Sequence, residues 1–340
     1  MLELDQDSPE RGKPAVPPPT RLPRVSVAVP VHNEEAVLPE LLRRLTLVLD
    51  QIPGDRHEMV FVDDGSQDGS RAFLLEVAAA DDRITVVTLS RNFGHQAALT
   101  AAMDFVQGDL VVVMDADLQD SPEDIPRLLS ALADGCDVAY AIREGRKEVW
   151  VLRTLYALAY RLIGALSSTK LPLDAGDFAA MSRRVVDEVR RAPEHNRYLR
   201  GLRSWVGFRQ VPVKLERQAR FAGDSKYSLR ALIRLALDGV FAFSITPLRV
   251  ATVVGACAIG LSVVFSLYAV YARFMHDRSP QGFTALLLMM VFLAGVNLLF
   301  LGIIGEYVAR IYEEAKARPL YVIDEIVSQA RPRSPDRRRQ

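Results

Sequence analysis

The chain is poor in cysteine: Cys136 and Cys257 are the only two in 340 residues. They show no ligand-like spacing, and one lies inside an apolar span. A disulfide framework and a cysteine zinc site are both excluded, as suits a reducing, cytosolic setting for the main domain. Net charge is also lacking, with 42 Lys and Arg balanced by 42 Asp and Glu. Global attraction to nucleic acid or to anionic lipid is therefore absent, and any such attraction must be local. The amino-terminal stretch has no apolar core of the signal-peptide kind. Residues 1–24 are charged and then proline-rich (Pro14, Pro17, Pro18, Pro19, Pro23), which reads as a disordered lead. No internal repeat is visible.

Long uncharged runs are present. Residues 250–272 and 283–305 each continue for about 23 residues without a charge, enough to cross a bilayer as a helix. A short link joins them, so they read as a transmembrane hairpin (247–309) with both flanks on one side. Arg230, Arg234 and Arg249 before the hairpin and Arg310, Lys316 and Arg318 after it outnumber Arg273 and Arg278 in the link. The positive-inside rule then leaves both termini cytoplasmic and the main domain, 25–227, facing the cytosol. Before the hairpin, Lys226, Arg230, Arg234 and Asp238 recur every fourth position as a narrow polar stripe on an otherwise apolar segment. Such a helix, 228–246, suits the headgroup plane. A weaker interfacial candidate is 149–166. The basic tail, 310–340, returns to the cytosol, its last ten or so residues reading as disordered. Gly255, Gly260, Gly295, Gly302 and Gly305 leave room for close packing against copies of the chain.

Between residues 25 and 143, strand-like runs (25–31, 59–62, 84–89, 110–114, 138–142) alternate with helix-like segments (35–51, 69–80, 95–106, 122–133). This order predicts an α/β domain with a mainly parallel sheet covered on both faces. A shorter strand-like pair, 178–181 and 210–215, extends the sheet.

The fourth run breaks abruptly into Asp115, Asp117 and Asp120. Two carboxylates at i and i+2 past a buried strand stand at its carboxyl end, where α/β sheets bind ligands. Taken alone they could also cap the helix starting near Pro122. The first strand ends in Pro30, Val31, His32, Asn33, Glu34, and the second in Val62, Asp63, Asp64, Gly65, Ser66, so both loops border the same crevice. Polar side chains there can hold a base and a ribose, with Gly65 allowing close backbone approach.

Five motifs now stand in order: Asp-Asp-Gly-Ser at 63–66, Ser-Arg-Asn-Phe-Gly-His at 90–95, Asp-Ala-Asp at 115–117, Gly-Asp-Phe at 176–178, and Arg-Phe-Ala-Gly-Asp-Ser-Lys at 220–226. With the hairpin that follows, the chain resembles the family 2 inverting nucleotide-sugar glycosyltransferases of the dolichol-phosphate-mannose-synthase and bactoprenol-glucosyltransferase group, over roughly residues 25 to 310. The resemblance implies a Rossmann-like GT-A fold and transfer of a sugar from a nucleoside diphosphate to a polyisoprenyl phosphate at the cytosolic face of the plasma membrane.

The implied roles, position by position, are these. Pro30, His32, Glu34, Val62 and Asp64 surround the nucleoside. Asp115, Ala116, Asp117 and Gln119 meet the diphosphate, and Asp115 and Asp117 hold Mg²⁺ or Mn²⁺, with Asp117 the first choice of ligand and counted with Asp177, Arg220 and Lys226 in the catalytic set. Asp177 is the candidate catalytic carboxylate, with Asp174 the nearby alternative. Arg143, Arg217, Arg220 and Lys226 supply cations: Arg143 on the donor side, and the other three for the acceptor phosphate. His32 stands where relatives often have Tyr. UDP-glucose and undecaprenyl phosphate are the expected substrates, with GDP-mannose the alternative donor.

Two rival classes are weaker. A polysaccharide synthase would carry a Gln-X-X-Arg-Trp acceptor signature, of which Gly201, Leu202, Arg203, Ser204 and Trp205 are a loose echo, and one hairpin encloses no polymer channel. A noncatalytic scaffold would have no need of this intact set of carboxylates and cations.

Overall fold

The computed structural model describes residues 22–54, 56–143, 175–194, 197–215, 246–276 and 283–329. Its centre is one eight-stranded sheet in the order β7-β5-β6-β4-β1-β2-β3-β8. β1 (Val25–Val31), β2 (Glu58–Asp63), β3 (Ile84–Leu89) and β4 (Leu110–Val113) are parallel neighbours, as the alternation with α1 (Leu38–Gln51), α2 (Ser70–Ala80) and α3 (His95–Phe105) requires. A 3₁₀ turn, Pro122–Asp124, leads into α4 (Ile125–Ala133), where Pro126 sits at the helix start and forfeits no internal hydrogen bond. β5 (Val138–Arg143) and β7 (Gln210–Leu215) pair in parallel. β6 (Ala175–Ser182) runs antiparallel between β4 and β5.

The strands are apolar on both sides because both faces are covered. Along β1, Val25, Val27, Val29 and Val31 join Leu41 and Leu45 of α1, Leu74 of α2 and Leu128 of α4 in one core. Ala28 points the other way, into a second core with Leu99 and Met103 of α3, Val185 and Val189 of α5 (Arg183–Arg191) and Leu202 of α6 (Leu199–Trp205).

Two long apolar helices follow, α7 (Thr246–His276) and α8 (Phe283–Lys316). Many of their large side chains are bare, among them Ile259 and Leu261 on α7 and Phe292, Leu298 and Leu301 on α8. Among the described residues, 292–316 is long and apolar enough to cross a membrane, while Ala251–Leu261 is a shorter apolar stretch. The proposed interfacial segments, 149–166 and 228–246, lie outside the described residues apart from Thr246 at the start of α7.

Residues 323–328, which sequence pattern assigns to a basic tail, instead form β8 (Ile323–Ser328), paired antiparallel with β3. The two edge strands are thus the ones flanking the long helices in sequence. Register places Leu215 beside Arg143 and Ile323 beside Leu89. Both are at the carboxyl end of the parallel strands, so the chain leaves the sheet and rejoins it at the same end. The link 317–322 between α8 and β8 spans at most about 20 Å.

Tyr321 anchors that return. Its ring is buried, and its hydroxyl donates to Asp104 Oδ2 at 3.0 Å while Arg190 Nε donates to Asp104 Oδ1 at 3.1 Å. Burial, with Asp104 beside it, holds the phenol well above its usual range. Tyr321→Phe is expected to cost about 1–2 kcal/mol of stability by removing one hydrogen bond to a buried carboxylate. The check is a lower denaturation midpoint of the solubilised protein, with substrate binding intact.

Candidate active site

The functional side chains gather where β1, β2 and β4 end and β6 begins. Antiparallel register pairs Val113 with Ala179, which carries Asp115 and Asp177 to facing positions just beyond. A cleft of about 380 Å³ opens there and collects Pro30, His32, Glu34, Asp64, Asp115, Ala116, Asp117 and Asp177 of the expected residues. It also takes in Asn92, His95 and Arg200, for which sequence supplies no individual role.

Val62 is fully buried in the α3-side core, and Gln119 is buried beside the cleft with its Oε1 unpartnered. Arg143 ends β5, but its side chain is not described. Asp174, Arg217, Arg220 and Lys226 fall outside the described residues.

Asp64 is committed to the loop opposite. Its two oxygens accept from the backbone N–H groups of Phe93 at 2.7 Å and Gly94 at 2.9 Å, so they fasten the 91–94 loop at the wall of the cleft. Burial pushes this carboxyl up against those two bonds. Gly65, at φ +65°, lies so close that a Cβ would sit 2.7 Å from the backbone of Arg91 and Asn92. Only glycine fits that approach.

His32 is fixed on both edges. Its Nδ1 lies 3.0 Å from the Asp64 carbonyl, which can only accept, so Nδ1 carries the proton and Nε2 accepts from the amides of Asn92 at 3.1 Å and Asn33 at 3.2 Å. Asn33 adopts φ +57°, a left-handed conformation that asparagine tolerates, and its Oδ1 accepts from Gln67 N at 2.8 Å.

Past β4, the Asp117 side chain accepts from Gln119 N at 3.0 Å, closing a tight turn over Leu118 at φ +56°. A left-handed leucine is strained, and strain of this sort gathers at functional loops. Asp115 is one-third exposed as a side chain, yet its Oδ1 is shut away from solvent without a hydrogen-bond partner. Burial pushes its carboxyl up, opposed by the nearby His95.

Asp177, buried on β6, receives a forked pair from Arg200 on α6: Nε to Oδ1 and Nη2 to Oδ2, each 2.7 Å. His95 opens α3, with Nε2 3.5 Å from Asp177 Oδ2 and 3.6 Å from Asp115 Oδ1. Burial alone would raise Asp177, but Arg200 and His95 overcome it and hold the carboxyl well below the usual carboxylate range. The same contact to Asp177, helped by Asp115 and opposed by burial, raises His95.

His95, Asp115 and Asp177 each offer a ligand atom, all within 4.8 Å of one another. Two carboxylates and an imidazole fit a hard to borderline divalent cation. The unpartnered Asp115 Oδ1 is the clearest sign, since a buried anionic oxygen with no donor calls for a cation.

Residues 26–190 match the family model for glycosyl transferase family 2, and residues 246–311 match the GtrB C-terminal hairpin. The chain is 42% identical to an uncharacterized glycosyltransferase of Bacillus subtilis, over 88% of this chain and 92% of that one. It is 35% identical to the bactoprenol glucosyl transferase of Shigella phage SfX, over 88% and 98%. It is 34% identical to the undecaprenyl-phosphate 4-deoxy-4-formamido-L-arabinose transferase of Aeromonas hydrophila, over 92% and 96%. With an α/β sheet whose carboxyl end carries an acidic cleft, and with likeness running through catalytic domain and hairpin together, this chain belongs to family 2 of the glycosyltransferases.

Proposed function

We propose that this glycosyltransferase moves a sugar, glucose from UDP-glucose, onto a polyisoprenyl phosphate such as undecaprenyl phosphate at the cytosolic face of the plasma membrane. The observation that carries this reading is the position of Leu215 and Ile323, both at the cleft end of the sheet. With α7 and α8 crossing the bilayer as a hairpin, the cleft opens toward the leaflet that holds the lipid phosphate. A search through solution becomes a positioned encounter. The names of the phage and Aeromonas relatives point to the same class of acceptor.

Within the cleft the residues divide by charge. Pro30, His32 and Glu34 border the nucleoside, with Val62 behind them in the α3-side core, and Asp64 serves it by fixing the 91–94 loop and, through its carbonyl, His32. Asp115, with Asp117 or His95, would hold Mg²⁺ or Mn²⁺ beside Ala116 and Gln119. Held there, the cation would supply positive charge against the negative charge that develops as the glycosidic bond breaks. Arg143, Arg217, Arg220 and Lys226 balance the diphosphate and the acceptor phosphate. Asp177 orients the nucleophile. Attack from the face opposite the leaving diphosphate inverts the anomeric centre, giving a β-linked sugar from an α-linked donor.

The test is incorporation of radiolabelled sugar into undecaprenyl phosphate by membranes containing the protein, with UDP-glucose, GDP-mannose and other nucleotide sugars compared. A lipid-linked product that needs a divalent metal and is strongest with UDP-glucose is expected. A folded protein that transfers from no donor would overturn the reading.

A further inference from the structure

Arg203 lies one turn after Arg200 on α6, behind the pair that Arg200 makes with Asp177. It is 4% exposed, its guanidinium lies over the Tyr140 ring at 5.1 Å from the centroid, and its Nε and Nη2 have no hydrogen-bond partner among the described residues. A buried guanidinium with two idle donors is costly, and replacing such a charge by an apolar side chain is commonly stabilising. Its presence there therefore calls for a state of the protein in which those donors are used.

The surroundings identify that state. A small cavity of about 20 Å³ lies between α6 and the sheet, lined by Asp177, Arg200 and Arg203 together with apolar Leu99, Met103 and Val113. Asp177 and Arg200 also line the open cleft, so their ion pair is the partition between the cleft and the cavity. Arg200 is about one-third exposed toward the cleft, whereas Arg203 is sealed in. Arg200 and Arg203 on one helix face stand against Asp177, while Asp115, the other carboxylate that acts on Arg200, lies beside His95, so Arg203 is left without an anion of its own and an anion arriving beside Arg200 would release Asp177 to it. The space behind the partition holds no more than a water-sized group. The anion must therefore arrive from the cleft.

We propose that Arg200 is a binding residue for the acceptor's phosphate monoester, and that Arg203 is the positioning residue that takes over Asp177 when Arg200 turns to that phosphate. This rests on the lipid-phosphate reading above and adds to it a clamp drawn from α6. The forked guanidinium that now grips two carboxylate oxygens suits two phosphate oxygens equally well. Arg203 needs to advance only across the shared cavity to bring its idle donors to Asp177. The carboxylate thus stays paired throughout the exchange, and the buried wall never holds an uncompensated anion.

The experiment uses the full-length protein in membranes, with undecaprenyl phosphate as acceptor and UDP as the donor-site probe. Transfer by the unsubstituted protein establishes the acceptor class first, so its failure would sink the proposed function and not the clamp. Arg200→Lys is expected to raise the acceptor KM by about tenfold while the dissociation constant of UDP moves by less than about twofold. Equal weakening of both would assign Arg200 to the donor's diphosphate and overturn the clamp. Arg203→Met is expected to raise the melting temperature while lowering kcat by about tenfold, a combination a purely structural arginine would not produce. A lower melting temperature with a parallel loss of rate, or an unchanged kcat, would overturn its role.

Discussion

Asp115→Ala is expected to lower sugar transfer by at least about three orders of magnitude, roughly 4 kcal/mol of transition-state stabilisation. Asp115 is common to both possible ligand sets, Asp115 with Asp117 and Asp115 with His95 and Asp177. Among the described residues of the cleft wall, its Oδ1 is the one carboxylate oxygen sealed from water without a hydrogen-bond donor. A divalent cation would be held by such oxygens and would supply charge compensation for the leaving diphosphate, so losing the oxygen would leave the developing charge uncompensated. The fold should not suffer, because burial already pushes this carboxyl up and so opposes its charged form. The variant should insert normally, melt no lower than the parent, and lose Mn²⁺ binding measured by paramagnetic resonance. Asp117→Ala should also abolish metal-dependent transfer, and it alone should loosen the turn that Gln119 N closes on Asp117. Transfer by the Asp115 variant within about tenfold of the parent, with Mn²⁺ affinity unchanged, would remove Asp115 from the metal site.

The central sheet was legible because its order is local. β1 and β3 coincide with the apolar runs at 25–31 and 84–89, and α1 to α4 fill the intervals between the strands. A strand that must be buried on both faces announces itself by composition, and its carboxyl end then locates Asp64, Asp115 and Asp117. β8 carries no such signal. It is a polar edge strand, Ile-Asp-Glu-Ile-Val-Ser, whose partner β3 is set by a return past two long helices, and its exposed acids pair with Arg71 of α2. α5 and α6 are short, and basic residues interrupt their apolar positions. His95 stood within a recognised motif, but its role depends on facing Asp177 across the sheet. Arg200 was invisible for the same reason. Its partner lies 23 positions earlier, a separation no helical or strand period connects.

Asp177→Asn is expected to cut transfer by about two to three orders of magnitude without leaving a residual rate that climbs with hydroxide. The argument begins with charge. Arg200 and His95 hold the Asp177 carboxyl well below the usual carboxylate range, so it is ionised throughout the working pH range and is a weak base there. A phosphate monoester, with a second pKa near about 6, is already largely dianionic at neutral pH and needs no base to attack. The acceptor should therefore contribute an acid limb at about 6 in parent and variant alike, while any part set by His95 moves down in the variant, which lacks the Asp177 contact that raises it. Were Asp177 the general base, its removal would leave a residual rate that climbs with hydroxide, and the shared limb would be lost. Stability separates the roles further. Because the folded-state carboxyl is lowered, its pairing stabilises the protein above the normal carboxylate range and fades as pH falls through the lowered value. The variant should thus melt below the parent at neutral pH, with Arg200 left unpaired, and the gap should narrow in acid. An equal melting temperature at neutral pH would show that the Arg200 pair does not support the fold, and a residual rate that climbs with hydroxide would return Asp177 to the role of proton acceptor.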